Sequence, residues 1–173
     1  EVAEVMEKTP IIVERKLDPK LFELNKRTDT YNGHIPVSAV YAFLGLLAAV
    51  LYDYDSIVVS NEKSANHGNV EYLGETINHQ WSKSEEFEKQ FQEYVAKNIT
   101  PDIHYFSSLR VMKELEITEK FVKYPKYFNV FSSCNKNFKI LKQVQNDKIG
   151  KWCGKCPKCA FVFAMLSAYL PKQ

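Results

Sequence analysis

No charge of one sign dominates this chain: among its 173 residues, 23 Lys and Arg stand against 21 Asp and Glu, for a formal net charge of +2. A protein that binds nucleic acid through counterion release carries a clear excess of Lys and Arg, so the balance argues against a nucleic-acid partner. Glycine and proline are scarce, at 6 and 7 residues, which excludes collagen-like and Pro/Gly-rich disordered chains. No apolar stretch reaches the roughly 20 residues that a membrane-spanning helix needs. The longest, Ala39 to Tyr52, is bracketed by Pro36 and Asp53 and reads as a buried core helix. The segment Glu1 to Glu7 is acidic and leads into no signal-peptide core, so the expected compartment is the cytoplasm and no membrane partner is expected. Internal repeats and low-complexity stretches are also missing. What remains is an ordinary globular composition, 45% hydrophobic and 25% charged, at a length that suits one domain with its own core. The first residue is Glu1 and not Met, which suggests a processed chain or a portion of a longer protein.

Along the chain, Pro10 to Asp18 reads as a strand through Ile11, Ile12 and Val13, followed by a polar helix from Pro19 to Arg27. A turn over Thr28 to Gly33 delivers His34 to the long apolar helix. Ser56 to Ser60 is a second strand, and its unbroken Ile57-Val58-Val59 is the pattern of a parallel strand covered on both faces. Asn61 to Gln80 reads as a long polar loop, of the kind that more often serves function than connection. The motif Ser82-x-x-Glu85 reads as a capping box for a helix carrying Phe87, Phe91, Tyr94 and Val95, stopped at Thr100-Pro101. A short strand at Ile103 to Phe106, a helix from Leu109 to Phe121 and a strand at Tyr127 to Phe131 complete an α/β alternation.

All four cysteines lie in the last quarter, as Cys134, Cys153, Cys156 and Cys159. Four soft ligands suit one tetrahedral zinc ion, with Gly154 and Pro157 bending the backbone around it and Cys159 reaching in from the first turn of a helix that runs to Tyr169. Such a closed site leaves no open coordination position and is structural. Lys151, Lys155 and Lys158 would offset the net charge of four thiolates. A redox Cys-x-x-Cys is disfavoured by the third cysteine in step, and two disulfides by the cytoplasmic setting. Zinc ribbons also bind RNA or protein, so the cysteines alone name no function.

Three polar stretches flank the predicted elements: Asn32 to Ser38, Ser60 to Asn69 and Asn78 to Ser84. In parallel α/β sheets the strand carboxyl ends and adjoining helix starts gather unpaired N–H groups that hold ligands. Ser60, Asn61 and Glu62 would sit at the sheet edge, with Asn66, Gly68 and Asn69 around a polar ligand. Taken singly, these are common turn residues, and a lone histidine is usually structural. Their clustering is the signal: His34, His67 and His79 are three of only 4 histidines, and Glu62 and Lys83 lie among them. These residue types move protons near neutral pH. Ser107-Ser108-Leu109-Arg110 adds an arginine suited to a carboxylate or phosphate.

Together the segments NGHIPVSA (32–39), SNEKSANHGN (60–69), NHQWSKS (78–84), SSLR (107–110) and WCGKCPKCAFVF (152–163) resemble the UDP-N-acetyl-muramoyl-L-alanyl-L-glutamate epimerase family over roughly residues 10 to 170. That family is in turn similar to the adenine-nucleotide alpha-hydrolase group, which includes 7-cyano-7-deazaguanine synthase. The resemblance implies a three-layer, Rossmann-like parallel sheet in a single α/β domain over 1–173, part of a longer enzyme, with a zinc-binding subregion at 130–170. It implies ATP- and Mg²⁺-dependent inversion of the terminal L-glutamate of UDP-MurNAc-L-Ala-L-Glu, a nucleotide-sugar dipeptide, in peptidoglycan precursor synthesis. His34 and His79 are then the proton-transfer candidates, Glu62 an orienting or metal-linked carboxylate, and Lys83 and Arg110 anion clamps. Asn32, Ser60, Asn61, Ser64, Asn66 and Asn69 would contact substrate. The group's Ser-Gly-Gly-x-Asp-Ser pyrophosphate loop does not occur in this sequence, and Phe138 to Lys148 reads as a polar insertion between the cysteines. A sheet missing its first strand would leave an edge or a face uncovered, which favours self-association as a homodimer. Two other readings stand beside this one: another ATP-dependent carboxylate- or nucleobase-activating enzyme of the group, and a non-catalytic zinc-stabilised module binding RNA or protein.

Overall fold

A computed structural model of the chain describes residues 1–30, 35–136 and 151–171. It is a mixed α/β structure that divides into two compact units, one of 12–112 and one formed by 1–11 with 113–173. No described helix is long and apolar enough to cross a membrane.

The unit of 12–112 starts with irregular chain and the short helix α2 (Pro19–Leu24), which follows α1 (Val2–Val5) of the other unit. Pro19 occupies the first turn and Asp18 caps it by accepting from the Lys20 N–H. The strand expected at Pro10 to Asp18 does not form: Ile11, Ile12 and Val13 are exposed, and no described strand pairs with them. An apolar triplet without a ladder partner gains nothing from extended pairing.

α3 (Val37–Tyr52) is the expected apolar helix, ended by Asp53 in the left-handed conformation. Its core contribution is one stripe, Ala42, Leu46 and Ala49, while Tyr41, Leu47, Val50 and Leu51 are exposed. β1 (Ser56–Val59) and β4 (His104–Ser107) pair in parallel, with Ile57 opposite Tyr105. Between them in sequence comes α4 (Glu85–Asn98), so β1, α4 and β4 form a βαβ unit. Phe87, Phe91 and Val95 of α4 join Ala42, Leu46, Ala49, Ile103 and Tyr105 in one buried cluster, against which Ile57 and Val59 pack. Phe91 stacks on Phe87 and meets Tyr105 edge-on at 4.8 Å between ring centroids. Both helices therefore lie on the sheet face that carries Ile57, Val59 and Tyr105. The expectation that β1 is covered on both faces fails, because Val58 on the opposite face is 56% exposed.

The stretch 61–80 is structured and not an open loop. It holds a 3-10 turn, Lys63–Asn66, and an antiparallel hairpin of β2 (Val70–Tyr72) and β3 (Glu75–Ile77). The two connecting residues, Leu73 and Gly74, both have positive φ, at 52° and 82°, which is the geometry that fits the strand twist of a two-residue hairpin. The cap of α4 is Ser84, whose Oγ accepts from the Phe87 N–H at 3.1 Å. Ser82, the cap expected from the sequence, is instead buried within the 3-10 turn Trp81–Lys83. Ser84→Ala is accordingly expected to destabilise this unit by about 1 kcal/mol, seen as a lower urea midpoint at unchanged slope.

In the other unit, α5 (Glu114–Phe121) begins five residues later than the expected Leu109. Residues 127–131 are not a strand: Pro125 starts a 3-10 turn, and Phe131 N–H bonds back to Tyr127. Turn bonding is reinforced there by Phe131 packing edge-on against Phe121 at 4.7 Å. α6 (Pro157–Ser167) follows the cysteine motif, with Cys156 as its N-cap residue and Pro157 in its first turn.

Candidate functional site

Two sites emerge, one in each unit. In the unit of 1–11 and 113–173, Cys134, Cys153, Cys156 and Cys159 place their sulfurs all within 4.8 Å of one another. Gly154 makes this bend with φ at +65°, a conformation that favours glycine. Cys159 enters from the first turn of α6. The Sγ separations are 3.4 Å for Cys156–Cys159, 3.8 Å for Cys153–Cys159 and 4.0 Å for Cys134–Cys156. Four thiolates at about 2.3 Å from a tetrahedral ion stand about 3.8 Å apart, so these sulfurs can hold one metal ion. They are too far apart for disulfides, and all four cysteines are free.

The electrostatics are uneven. The Cys159 N–H donates to the sulfur of Cys156 and pulls that thiol down to about 6, whereas burial pushes Cys159 up to about 11. Cys153 N–H donates to the Cys134 sulfur and Lys155 N–H to the Cys153 sulfur, at 3.4 and 3.5 Å. Backbone amides thus take up part of the task of balancing thiolate charge. Lys151 is turned toward the Glu1 carboxylate, with which it pairs.

In the unit of 12–112, a cleft of about 550 Å³ opens between the 3-10 turns, the hairpin and the start of α4. Asn66, Gly68, Thr76, Asn78, Trp81, Ser84, Glu85, Glu86 and Lys89 line it. Asn66 accepts from the Glu85 N–H at 2.7 Å and so occupies a helix-terminal amide. Asn78 locks the cleft wall: its amide donates to the Ala65 carbonyl at 2.8 Å and its oxygen accepts from the Gln80 N–H at 2.9 Å. Trp81 presents its ring at the rim, with its indole N–H donated to Glu86 at 2.9 Å.

Of the residues expected at the site, His79 and Asn69 are brought together, His79 Nδ1 meeting Asn69 Oδ1. Lys83 Nζ donates to Gln80 at 3.0 Å. The guanidinium of Arg110 is held by protein groups: Nη2 pairs with Glu88 at 2.7 Å and Nη1 donates to the Lys83 carbonyl at 2.9 Å. Asn61 accepts, through its carbonyl, from Ser107 Oγ at 2.7 Å, which ties the ends of β1 and β4 together. Ser60, Ser64 and His67 are exposed and Glu62 half-buried around the first 3-10 turn. Asn32 and His34 lie outside the described residues. Sequence reasoning missed Glu88 and Gln92. They sit on what reads as the solvent face of α4, and nothing in the sequence distinguishes them from its other polar residues.

Comparison with known proteins now adds the family. Residues 1–108 match the MurL N-terminal domain and residues 130–173 the MurL C-terminal domain. The interval between the two matches contains the point, Met112 to Lys113, where one compact unit gives way to the other along the chain. Three relatives carry the name UDP-N-acetyl-alpha-D-muramoyl-L-alanyl-L-glutamate epimerase. The protein of Xanthomonas oryzae pv. oryzae is 46% identical over 91% of this chain and 34% of its own length. That of a Micromonospora strain is 38% identical over 95% of this chain and 35% of its own, and that of Salinispora tropica 38% over 92% and 34%. No solved structure matches. The chain spans about a third of the length of these curated relatives. By its match to both domain models, the chain belongs to the MurL family and covers the junction between that family's two domains.

Proposed function

We propose that this chain is part of an epimerase that inverts the terminal L-glutamate of UDP-MurNAc-L-Ala-L-Glu to D-glutamate during peptidoglycan precursor synthesis. The observation that carries the reading is the 38–46% identity, over more than nine-tenths of the chain, to relatives of that name. The cleft at the start of α4 supports it, because it gathers amides, hydroxyls and the Lys89 ammonium around a space that a polar ligand could fill, although His79 is not among its lining residues.

The chemistry explains the need for activation. Removing the α-proton beside an ionised carboxylate would put two negative charges side by side. In our reading the carboxylate first attacks the α-phosphorus of ATP, with Mg²⁺ screening the phosphates, and pyrophosphate leaves. The resulting acyl adenylate has a neutral carbonyl, and a base can now take the α-proton to give an enolate-like intermediate. Reprotonation on the opposite face and hydrolysis of the adenylate give the D product and AMP. We assign proton transfer to His79 and His34, with Asn69 holding the His79 ring. Glu62 orients a partner or a metal ion. Ser60, Asn61, Ser64, Asn66 and Asn32 bound the substrate, Lys83 faces its anionic groups, and Arg110 steadies Lys83 from behind. Binding of the ATP phosphates is not assigned to these residues. The four cysteines hold a structural zinc ion, and the enzyme works in the cytoplasm.

The test is deuterium incorporation at the glutamate α-carbon in heavy water with ATP and Mg²⁺, read by mass spectrometry on a full-length family member. Exchange that requires ATP is expected. Its absence from a folded, metal-loaded protein would move the reading to another carboxylate-activating reaction.

A further inference from the structure

The two edges of the parallel sheet are finished differently, and the difference shows which way the sheet grows. In the parallel register of β1 and β4, His104 N–H donates to the Asp55 carbonyl at 2.8 Å and Ser108 N–H to the Val59 carbonyl at 3.0 Å. The odd-numbered residues of β1 therefore turn their backbone groups to β4, and the odd-numbered residues of β4 turn theirs away from β1. Three of those outward groups of β4, the Ile103 carbonyl and the Tyr105 and Ser107 N–H groups, are already met by α4. Gln92 Nε2 donates to the Ile103 carbonyl at 3.1 Å and its Oε1 accepts from Tyr105 N–H at 2.6 Å. Glu88 Oε2 accepts from Ser107 N–H at 3.1 Å and is held in place by Arg110. Two side chains one helical turn apart thus stand where a neighbouring strand would, and β4 is closed to pairing.

β1 has no such cover. Among the described residues no strand, helix or side chain meets the outward N–H and C=O groups of Ser56 and Val58. On the sheet face without helices, Val58 of this edge strand is 56% exposed and its partner Phe106 on β4 is 42% exposed. An unpaired strand edge next to uncovered apolar side chains is not a finished surface. The relatives have about three times the length of this chain, which supplies enough polypeptide to finish it.

We propose that β4 is the terminal strand of the sheet, and that the outer edge of β1 is the seam where a β-strand from the rest of the family polypeptide pairs, with an accompanying element covering Val58 and Phe106. This inference rests on backbone geometry and family length, and stands apart from the epimerase reading.

Amide-resolved hydrogen exchange tests it without reference to activity. In this 173-residue chain at low concentration, Ile57 and Val59 amides, which face β4, are expected to be protected, and the Val58 amide to exchange near its unstructured rate. In the full-length Xanthomonas oryzae relative, the amide aligned with Val58 is expected to slow by roughly 100-fold or more, as a ladder hydrogen bond of a core sheet does. An equally fast amide in the full-length protein overturns the proposal. So does protection already present in this chain: protection lost on dilution makes the occupant a second copy, and protection independent of dilution places the cover within these residues.

Discussion

Cys156→Ser is expected to release the zinc ion proposed for the four-cysteine site and to abolish cooperative unfolding of the unit that contains it. The reason is where that unit keeps its buried residues. Among the described residues of 1–11 and 113–171, the buried ones are Cys134, Cys156 and Cys159, with Trp152 and Cys153 packed against them. α5 has no buried residue and α6 has Cys159 alone. The sulfurs are therefore the core, and with the proposed zinc ion bound the energy that holds them together would be metal coordination more than apolar burial. Structural zinc contributes on the order of 10–16 kcal/mol in small zinc-dependent folds, more than a unit of this size can lose. The checks are metal content by mass spectrometry and the near-ultraviolet signal of Trp152 before and after chelation. A Cys156→Ser protein that keeps one zinc per chain and an unchanged thermal transition would overturn the assignment. Acid should act in the same direction as the substitution. Coordination needs thiolates, and protons compete for them, so affinity falls as pH is lowered, most steeply once Cys156 itself takes up a proton near pH 6.

His79→Ala is expected to lower ATP-dependent α-proton exchange in a full-length family member by roughly 10²- to 10⁴-fold, the usual worth of a positioned acid or base. Asn69→Ala should cost less, because it frees the ring without removing it, and Asn69→Asp should recover part of the loss by restoring an acceptor for Nδ1. This ordering separates a proton-transfer histidine from a structural one, whose removal would change stability and leave exchange per folded molecule intact. If His79→Ala retains full exchange, proton transfer passes to other groups while the epimerase reading survives. Loss of ATP-dependent exchange in the unmodified protein would instead remove the reading itself.

Much of this was legible in the residues, for physical reasons that can be named. The cysteine spacing announced its cluster because the geometry is local: a Cys-x-x-Cys turn and the start of a helix allow few arrangements. α3 and β1 were found from apolar runs whose length and flanking Pro36 and Asp53 left little choice. Failures occurred where two local readings compete. Ser82 and Ser84 both look like caps, and only the 3-10 turn through Trp81 decides between them. Ile11 to Val13 and Tyr127 to Phe131 have strand composition, yet a strand exists only where another can pair with it. Arg110 reads as an anion clamp until Glu88, 22 residues away in sequence, is seen to take its fork. Long-range pairing of that sort leaves no trace in one sequence.

The match between α4 and β4 has a consequence for which length changes this fold can absorb. Four residues of helix advance about 6 Å, and two residues of strand about 6.6 Å, so Glu88 and Gln92 stay in step with Ser107 and Tyr105. The two elements are commensurate over this span. An extra residue in the connection between Asn98 and Ile103 leaves that step intact, and the chain can take it up. The same residue inserted between Glu88 and Gln92 turns one of them about 100° around the helix axis. The side chain carried away then leaves a backbone group of β4 without its partner. Natural variation in length should therefore collect in the connection and spare the single helical turn from Glu88 to Gln92.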